Sequence, residues 1–164
     1  MIAAHHETGD PIPDDLLGRA QAAKNFGAGL QMLRQVELGL FDMLIHSDSS
    51  GAAVDVQGVL NDVRAEVSLL HPPSENRFQC GFAHLFAGGY AAGYFSYKWA
   101  EVLSADAFSR FEEEGVFSDT AGAAFREEVL ERGGSRPAMA SFVAFRGREP
   151  TVDALLRHNG LAAA

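Results

Sequence analysis

The sequence predicts an all-α fold: an irregular lobe of about six or seven helices, with residues 1–164 forming a single helical domain. Three observations predict it. Apolar residues recur every three or four positions in one segment after another, the period of a helix with one buried face. Proline, glycine and short polar capping residues stand between those segments, where helices start and stop. No run alternates apolar and polar side chains convincingly, so no sheet is expected beyond a short hairpin.

Taken in order, Thr8-Gly9-Asp10-Pro11 and Pro13 carry turn chemistry. Pro13-Asp14-Asp15 starts a first helix, with proline in the first turn and acids against the positive dipole end. That helix should reach Asn25 or Phe26 and end at Gly27. Leu30, Leu33, Val36, Leu40, Phe41 and Leu44 then define an amphipathic helix from about Ala28 to His46. Ser47 to Ala52 is a small, polar loop. Asp55 caps a third helix striped by Val56, Val59, Leu60, Val63 and Val67, stopped before His71-Pro72-Pro73-Ser74.

Phe78 to Phe86 is open between a short helix, irregular structure and a strand. A long central helix is expected from about Gly89 to Glu114, stopping at Gly115. Ser118 caps a helix through Phe125 and Leu130 that ends at Gly133-Gly134. Pro137 opens a short helix holding Met139, Phe142 and Phe145, broken at Gly147 to Pro150. Thr151 caps a last helix with Val152, Leu155 and Leu156, closed by Gly160.

Composition narrows the function. Thirteen basic against 22 acidic residues give a net charge of −9. A surface this acidic suits neither nucleic-acid phosphates nor an anionic membrane. Cys80 is the single cysteine, which excludes an intrachain disulfide and fits a reducing cytoplasm. No stretch approaches the length of an apolar membrane span. The N-terminus has no signal-peptide pattern.

Most isolated polar groups have bland readings. His5-His6-Glu7 invites a metal, but adjacent helical residues point about 100° apart, whereas zinc helices place ligands four apart. His46, His71 and His158 are far apart in sequence and read as structural or exposed. Cys80 reads as a buried apolar filler. Glu112-Glu113-Glu114 reads as a solvated face. Phe145 to Pro150 reads as a salt-bridged turn rather than an anion site.

The exception is the stretch from His84 through Gly88-Gly89 to Tyr90, Tyr94 and Tyr97. On a continuous helix the three phenols fall within roughly 60° of one another, with Phe95, Trp99, Val102 and Leu103 on the opposite, core-facing side. Such a stripe either packs against a core or presents neutral hydroxyl donors to a polar ligand. Spacing alone leaves both open.

The stretch F-A-H-L-F-A-G-G-Y-A-A-G-Y-F-S-Y-K-W-A-E-V-L-S-A-D-A-F, from Phe82 to Phe108, resembles the C-terminal region of zinc oligopeptidases of the thimet oligopeptidase and oligopeptidase A type. H-H-E-T-G-D-P-I-P, L-R-Q-V-E-L-G-L-F-D-M-L-I-H, F-E-E-E-G-V-F and F-R-G-R-E-P-T-V-D-A-L-L-R-H-N-G-L extend the likeness over nearly the whole chain. It implies a cytoplasmic metalloendopeptidase that cleaves short peptides, in which a zinc-bound water attacks and a glutamate acts as base. The family's H-E-x-x-H motif does not occur in this sequence, so the chain resembles the C-terminal part of such an enzyme. Zinc belongs to the parent, and none is expected here. The likeness implies that His84 and Tyr97 stabilise the transition state. It implies that Tyr90, Tyr94, Gly88 and Gly89 bind the substrate along the S1' side. The competing expectation is a stand-alone, non-catalytic helical module that binds peptides or self-associates. Loss of the zinc-bearing neighbours would expose apolar surface and favour a homodimer.

Overall fold

The computed structural model describes residues 4–47 and 53–161, so most of the expected 47–52 loop and the alanine tail lie outside the described residues. The fold is all-α. Among the described residues seven helices exceed one turn: α1 (Asp14–Lys24), α2 (Ala28–Ser47), α3 (Val56–Val67), α5 (Ser96–Glu114), α6 (Asp119–Phe125), α7 (Ala138–Arg146) and α8 (Asp153–His158). A one-turn helix, α4 (Ala83–Phe86), follows a tight helical turn at Phe78–Gly81, which settles the open segment as helical. Among the described residues the extended pairing consists of one antiparallel bridge between Ala4 and Pro11.

Local chemistry sets most of the boundaries. Asp14 and Asp15 occupy the first turn of α1, and Gly27 (φ 71°) separates it from α2. Asp55 accepts the Gly58 amide at 2.9 Å and caps α3. Ser118 accepts the Ala121 amide at 3.1 Å and caps α6. α6 then widens into one i→i+5 turn at Arg126–Leu130, closed by the Glu131 amide on the Arg126 carbonyl at 2.8 Å. Thr151 does not cap α8. Its hydroxyl bonds the Asp153 side chain, while its amide goes to Asp106.

Two apolar clusters hold the lobe together. In the first, Leu38 and Phe41 of α2 meet Leu60 of α3 and Phe82 and Leu85 of the 78–86 segment. Phe41 and Leu60 are fully enclosed, each worth about 1.5–3 kcal/mol of burial. In the second, Ala105 of α5 packs on Ala154 and Leu155 of α8, with Val102 and Met32 against them. Met32 lies on α2, so the two clusters share that helix. Edge-to-face contacts join Phe125 to Phe111 and Phe145, tying α6 and α7 to α5.

Charged groups brace the same joints. Glu37 is buried on α2 and accepts from Arg34 (2.6 Å), Arg64 (2.9 Å) and Ser68 (2.7 Å), tying α2 to α3 and its exit. Asp106, buried on α5, accepts two bonds of 2.6 Å from Arg148 and one of 2.7 Å from the Thr151 amide. Arg146 adds a longer contact at 3.3 Å. The Phe145 to Pro150 turn is therefore a salt-bridged structural turn, as its sequence suggests.

Several sequence expectations are corrected. α5 starts at Ser96, not Gly89, and residues 91–95 form a turn. Phe95 and Trp99 are not core: they are 48% and 56% exposed. Cys80 is exposed rather than buried. His5 and His6 lie in an exposed turn rather than on a helix. Glu112, Glu113 and Glu114 are on the surface, but each is paired, with Arg157 and His158, with Arg146, and with Arg110 respectively. Arg110 is a neighbour one turn back on α5, whereas Arg146, Arg157 and His158 come from distant positions and could not be read from the local charge run.

Candidate functional site

The site begins with how the chain reaches it. Leu85 anchors α4 in the first core cluster, and the residue just before it, His84, stays exposed. The Ala87 and Gly88 amides both return to the Ala83 carbonyl, at 2.8 and 2.7 Å, and close the turn tightly. A Cβ on Gly88 would lie 2.9 Å from the His84 Cα, so only glycine fits there. Gly89 has φ 76°, a left-handed backbone that glycine adopts without strain. The Tyr90 amide then bonds the His84 carbonyl at 3.1 Å and fixes the first tyrosine beside the histidine.

The helix does not continue back from Tyr97 to Tyr90 because two amides between them, those of Ala92 and Tyr94, are taken elsewhere. Asp42 of α2 accepts the Ala92 amide at 2.9 Å and the Tyr94 amide at 2.8 Å. The Gly93 amide returns to the Tyr90 carbonyl at 2.9 Å as a reverse turn. Ala92, with φ 54°, is the one non-glycine residue with positive φ among those described. A tertiary acceptor thus outcompetes the intrahelical carbonyls.

The three tyrosines nonetheless converge, by folding rather than by helical spacing. The His84 ring lies 6.0 Å from Tyr90, 6.0 Å from Tyr94 and 6.4 Å from Tyr97 between centroids. Tyr97 stacks on Tyr90 at 5.3 Å and meets Tyr94 edge-on at 5.2 Å. An open cleft of about 460 Å³ is lined by His84, Tyr94, Tyr97, Gln31, Gln35, Lys98 and Glu101. A more apolar groove of about 390 Å³ between α5 and α7 contains none of these polar groups, and chemistry favours the cleft over it.

The hydroxyls differ. Tyr94 donates to the Gln35 side-chain oxygen at 3.1 Å, so its proton is committed within the protein. Burial pushes the Tyr94 phenol above its ordinary value, although Arg34 and Gln35 pull the other way. The Tyr90 hydroxyl is the largest influence raising Tyr97, and burial and the neighbouring phenols add to it. Both phenols stay protonated at neutral pH and beyond, as hydrogen-bond donors must. Lys98 and Glu101 pair at 2.5 Å on the cleft rim.

His84, Tyr90, Tyr94 and Tyr97 are therefore assembled, with Gly88 and Gly89 as the turn that makes this possible. Sequence reasoning missed Asp42 and Gln35. Both sit on the α2 face that the apolar stripe leaves over, and nothing local marks their contact with residues fifty or more positions away. Among the described residues no three His, Cys, Asp or Glu side chains could together hold a metal ion, so those residues do not fit a zinc centre. No helix among them is long and apolar enough to cross a membrane.

The chain is similar in sequence to known proteins. The chain belongs to peptidase family M3, which it matches over residues 1–161. It is 49% identical over 162 residues to oligopeptidase A of Escherichia coli (strain K12), an alignment covering 98% of this chain and 24% of that protein. It is 46% identical over 168 residues to the probable cytosolic oligopeptidase A of Arabidopsis thaliana, covering 99% and 24%. Organellar oligopeptidase A of the same plant, chloroplastic/mitochondrial, is also 46% identical over 168 residues, covering 99% and 21%. The chain spans about a quarter of the length of the curated relatives it matches.

Proposed function

We propose that this chain forms the substrate-facing wall of a zinc-dependent, oligopeptidase A-like metalloendopeptidase that hydrolyses short peptides in the cytoplasm. The observation that carries the reading is the convergence of His84, Tyr94 and Tyr97 at one open cleft, with Tyr90 packed against His84 and Tyr97. The kinship with oligopeptidase A supports the same reaction class. The zinc ligands and the base belong to other parts of such an enzyme.

In this reading Tyr97 and His84 donate to the scissile carbonyl oxygen as it gains negative charge. A phenol suits that task because it is a neutral donor that needs no proton transfer, and fixed donors of this kind are worth about 10²–10³ in rate. Tyr94, whose proton is held by Gln35, offers lone pairs to a peptide N–H. Tyr90 orients Tyr97 by stacking and meets the adjoining peptide unit. Gly88 and Gly89 leave backbone bare beside His84, so a peptide main chain can approach and the turn can close on it.

The test is steady-state kinetics of a full-length enzyme carrying this sequence, on a fluorogenic peptide. Tyr97→Phe and His84→Ala should each lower kcat by about 10²-fold with a smaller change in KM. Wild-type constants in both variants would return the cluster to a packing role.

A second reading, self-association of a stand-alone module, is favoured by the exposure of Phe95 and Trp99 beside the cleft. Light scattering of this chain resolving a homodimer, lost in Trp99→Glu, would support it, and a monomer at high concentration would retire it.

A further inference from the structure

We propose that Asp42 is a positioning residue for the tyrosine cleft. From the buried face of α2 it clamps the turn at residues 90–95 and sets where Tyr90 and Tyr94 stand against His84 and Tyr97. Its functional half rests on the peptidase reading above, and its geometric half does not.

Asp42 is 0% exposed. A carboxylate at such depth normally faces a guanidinium or ammonium, as Asp106 does with Arg148. Asp42 faces two backbone amides instead. One oxygen accepts from Ala92 at 2.9 Å and the other from Tyr94 at 2.8 Å. Its ionic neighbour among the described residues is His46, one turn along α2, at 3.0 Å. Both carboxylate oxygens are thus committed to the segment that carries the tyrosines, and neither touches the cleft.

The clamped segment has a conformation its own sequence disfavours. Ala92 holds φ 54°, where a Cβ is strained and glycine is the usual occupant. Residues 90–99 otherwise have the periodicity of a continuing helix. Without an outside acceptor the Ala92 and Tyr94 amides would take intrahelical carbonyls, and the helix would extend towards Tyr90. The stack of Tyr90 on Tyr97 needs the turn, so it depends on what holds the turn. Strain of this kind persists only when the surroundings over-determine it, and Asp42 supplies the two bonds that do so.

The experiment has two arms. In this chain, amide exchange followed by NMR should find Ala92 and Tyr94 protected relative to Ala91. Asp42→Asn keeps the shape but turns one oxygen into an amino group facing an N–H. Exchange at Ala92 and Tyr94 should then rise by about tenfold or more, the effect of one lost charge-assisted bond, while α3 and α8 keep their protection. Unprotected Ala92 and Tyr94 in the wild type would overturn the clamp without any variant. So would an Asp42→Asn protein whose turn exchanges as before or whose protection falls uniformly.

In the full-length enzyme, Asp42→Asn should raise KM by about tenfold with a smaller change in kcat, and Ala92→Gly added to it should recover part of the loss. Wild-type kinetics in Asp42→Asn, alongside impaired Tyr97→Phe, would overturn the positioning role. Wild-type kinetics in Tyr97→Phe and His84→Ala, with the exchange result intact, would sink the peptidase reading and leave the clamp standing.

Discussion

Tyr90 and Tyr97 stack with ring centroids 5.3 Å apart and planes 22° from parallel, although Tyr97 lies on a helix and Tyr90 precedes it in a turn. The contact makes each phenol part of the other's environment. Tyr90 is the chief reason the Tyr97 phenol titrates above the ordinary value. Followed by phenolate absorbance, Tyr97 should ionise later than a free tyrosine, and Tyr90→Phe should bring it back towards the ordinary value of about 10. The sign favours catalysis, since a raised phenol keeps its proton across the working range. In the full-length enzyme, loss of rate from Tyr97 ionisation should therefore begin only above that value. A Tyr97 that titrates normally in the wild type contradicts this account.

Tyr94 and Tyr97 should behave differently despite lying 5.2 Å apart. The Tyr94 proton is spent on Gln35, so it is not free for an oxyanion. Tyr94→Phe should raise KM several-fold, about 1 kcal/mol of lost binding, and leave kcat nearly unchanged. Gln35→Leu should follow it in the same direction. A kcat loss in Tyr94→Phe as large as that in Tyr97→Phe would show that the Gln35 bond is given up when substrate binds.

Gly88 is required by contact, not by backbone angle. Its missing Cβ would sit 2.9 Å from the His84 Cα and 3.1 Å from the His84 carbonyl oxygen. Gly88→Ala should push α4 and the turn apart at a cost of about 1–3 kcal/mol. It should also loosen the contacts of His84 with the tyrosines. Thermal unfolding and the near-ultraviolet circular dichroism of the aromatic cluster both report on it. A variant with unchanged melting and an unchanged spectrum would mean that the backbone relaxes freely.

Asp106 gives the fold an acid-sensitive joint. Burial alone would raise its carboxyl, but the Arg148 bonds, the Thr151 amide and Arg146 outweigh that and hold it below its ordinary value. A carboxyl lowered by folding stabilises the protein fully above the unfolded value of about 3.9, and that contribution is lost as pH falls through the lower folded value. Asp106→Asn should cost about 3 kcal/mol at neutral pH, the low end for a broken buried pair, because Arg148 keeps 41% of its side chain in water. In urea unfolding the gap between wild type and Asp106→Asn should narrow as pH drops below about 4. A gap constant down to pH 3 would remove the electrostatic explanation.

The sequence by itself determined the all-α class, most helix boundaries and the identity of the clustered side chains. Helix period, caps at Asp55 and Ser118 and the glycines at 27, 147 and 160 act over a few residues, and local physics is legible in a single sequence. The family resemblance carried by Phe82 to Phe108 is equally local, a string of residue types. What the sequence did not determine is how the tyrosines meet. Their spacing suggested one helical face, yet Tyr90 and Tyr94 stand in a turn and reach Tyr97 across it. Only the tertiary structure decided that, because Asp42, fifty positions earlier, takes the amides that a helix would have used. The same holds for Phe95 and Trp99, which the spacing assigned to a core and the fold leaves in water. A helix face is buried only if another element covers it, and no local pattern states which faces are covered.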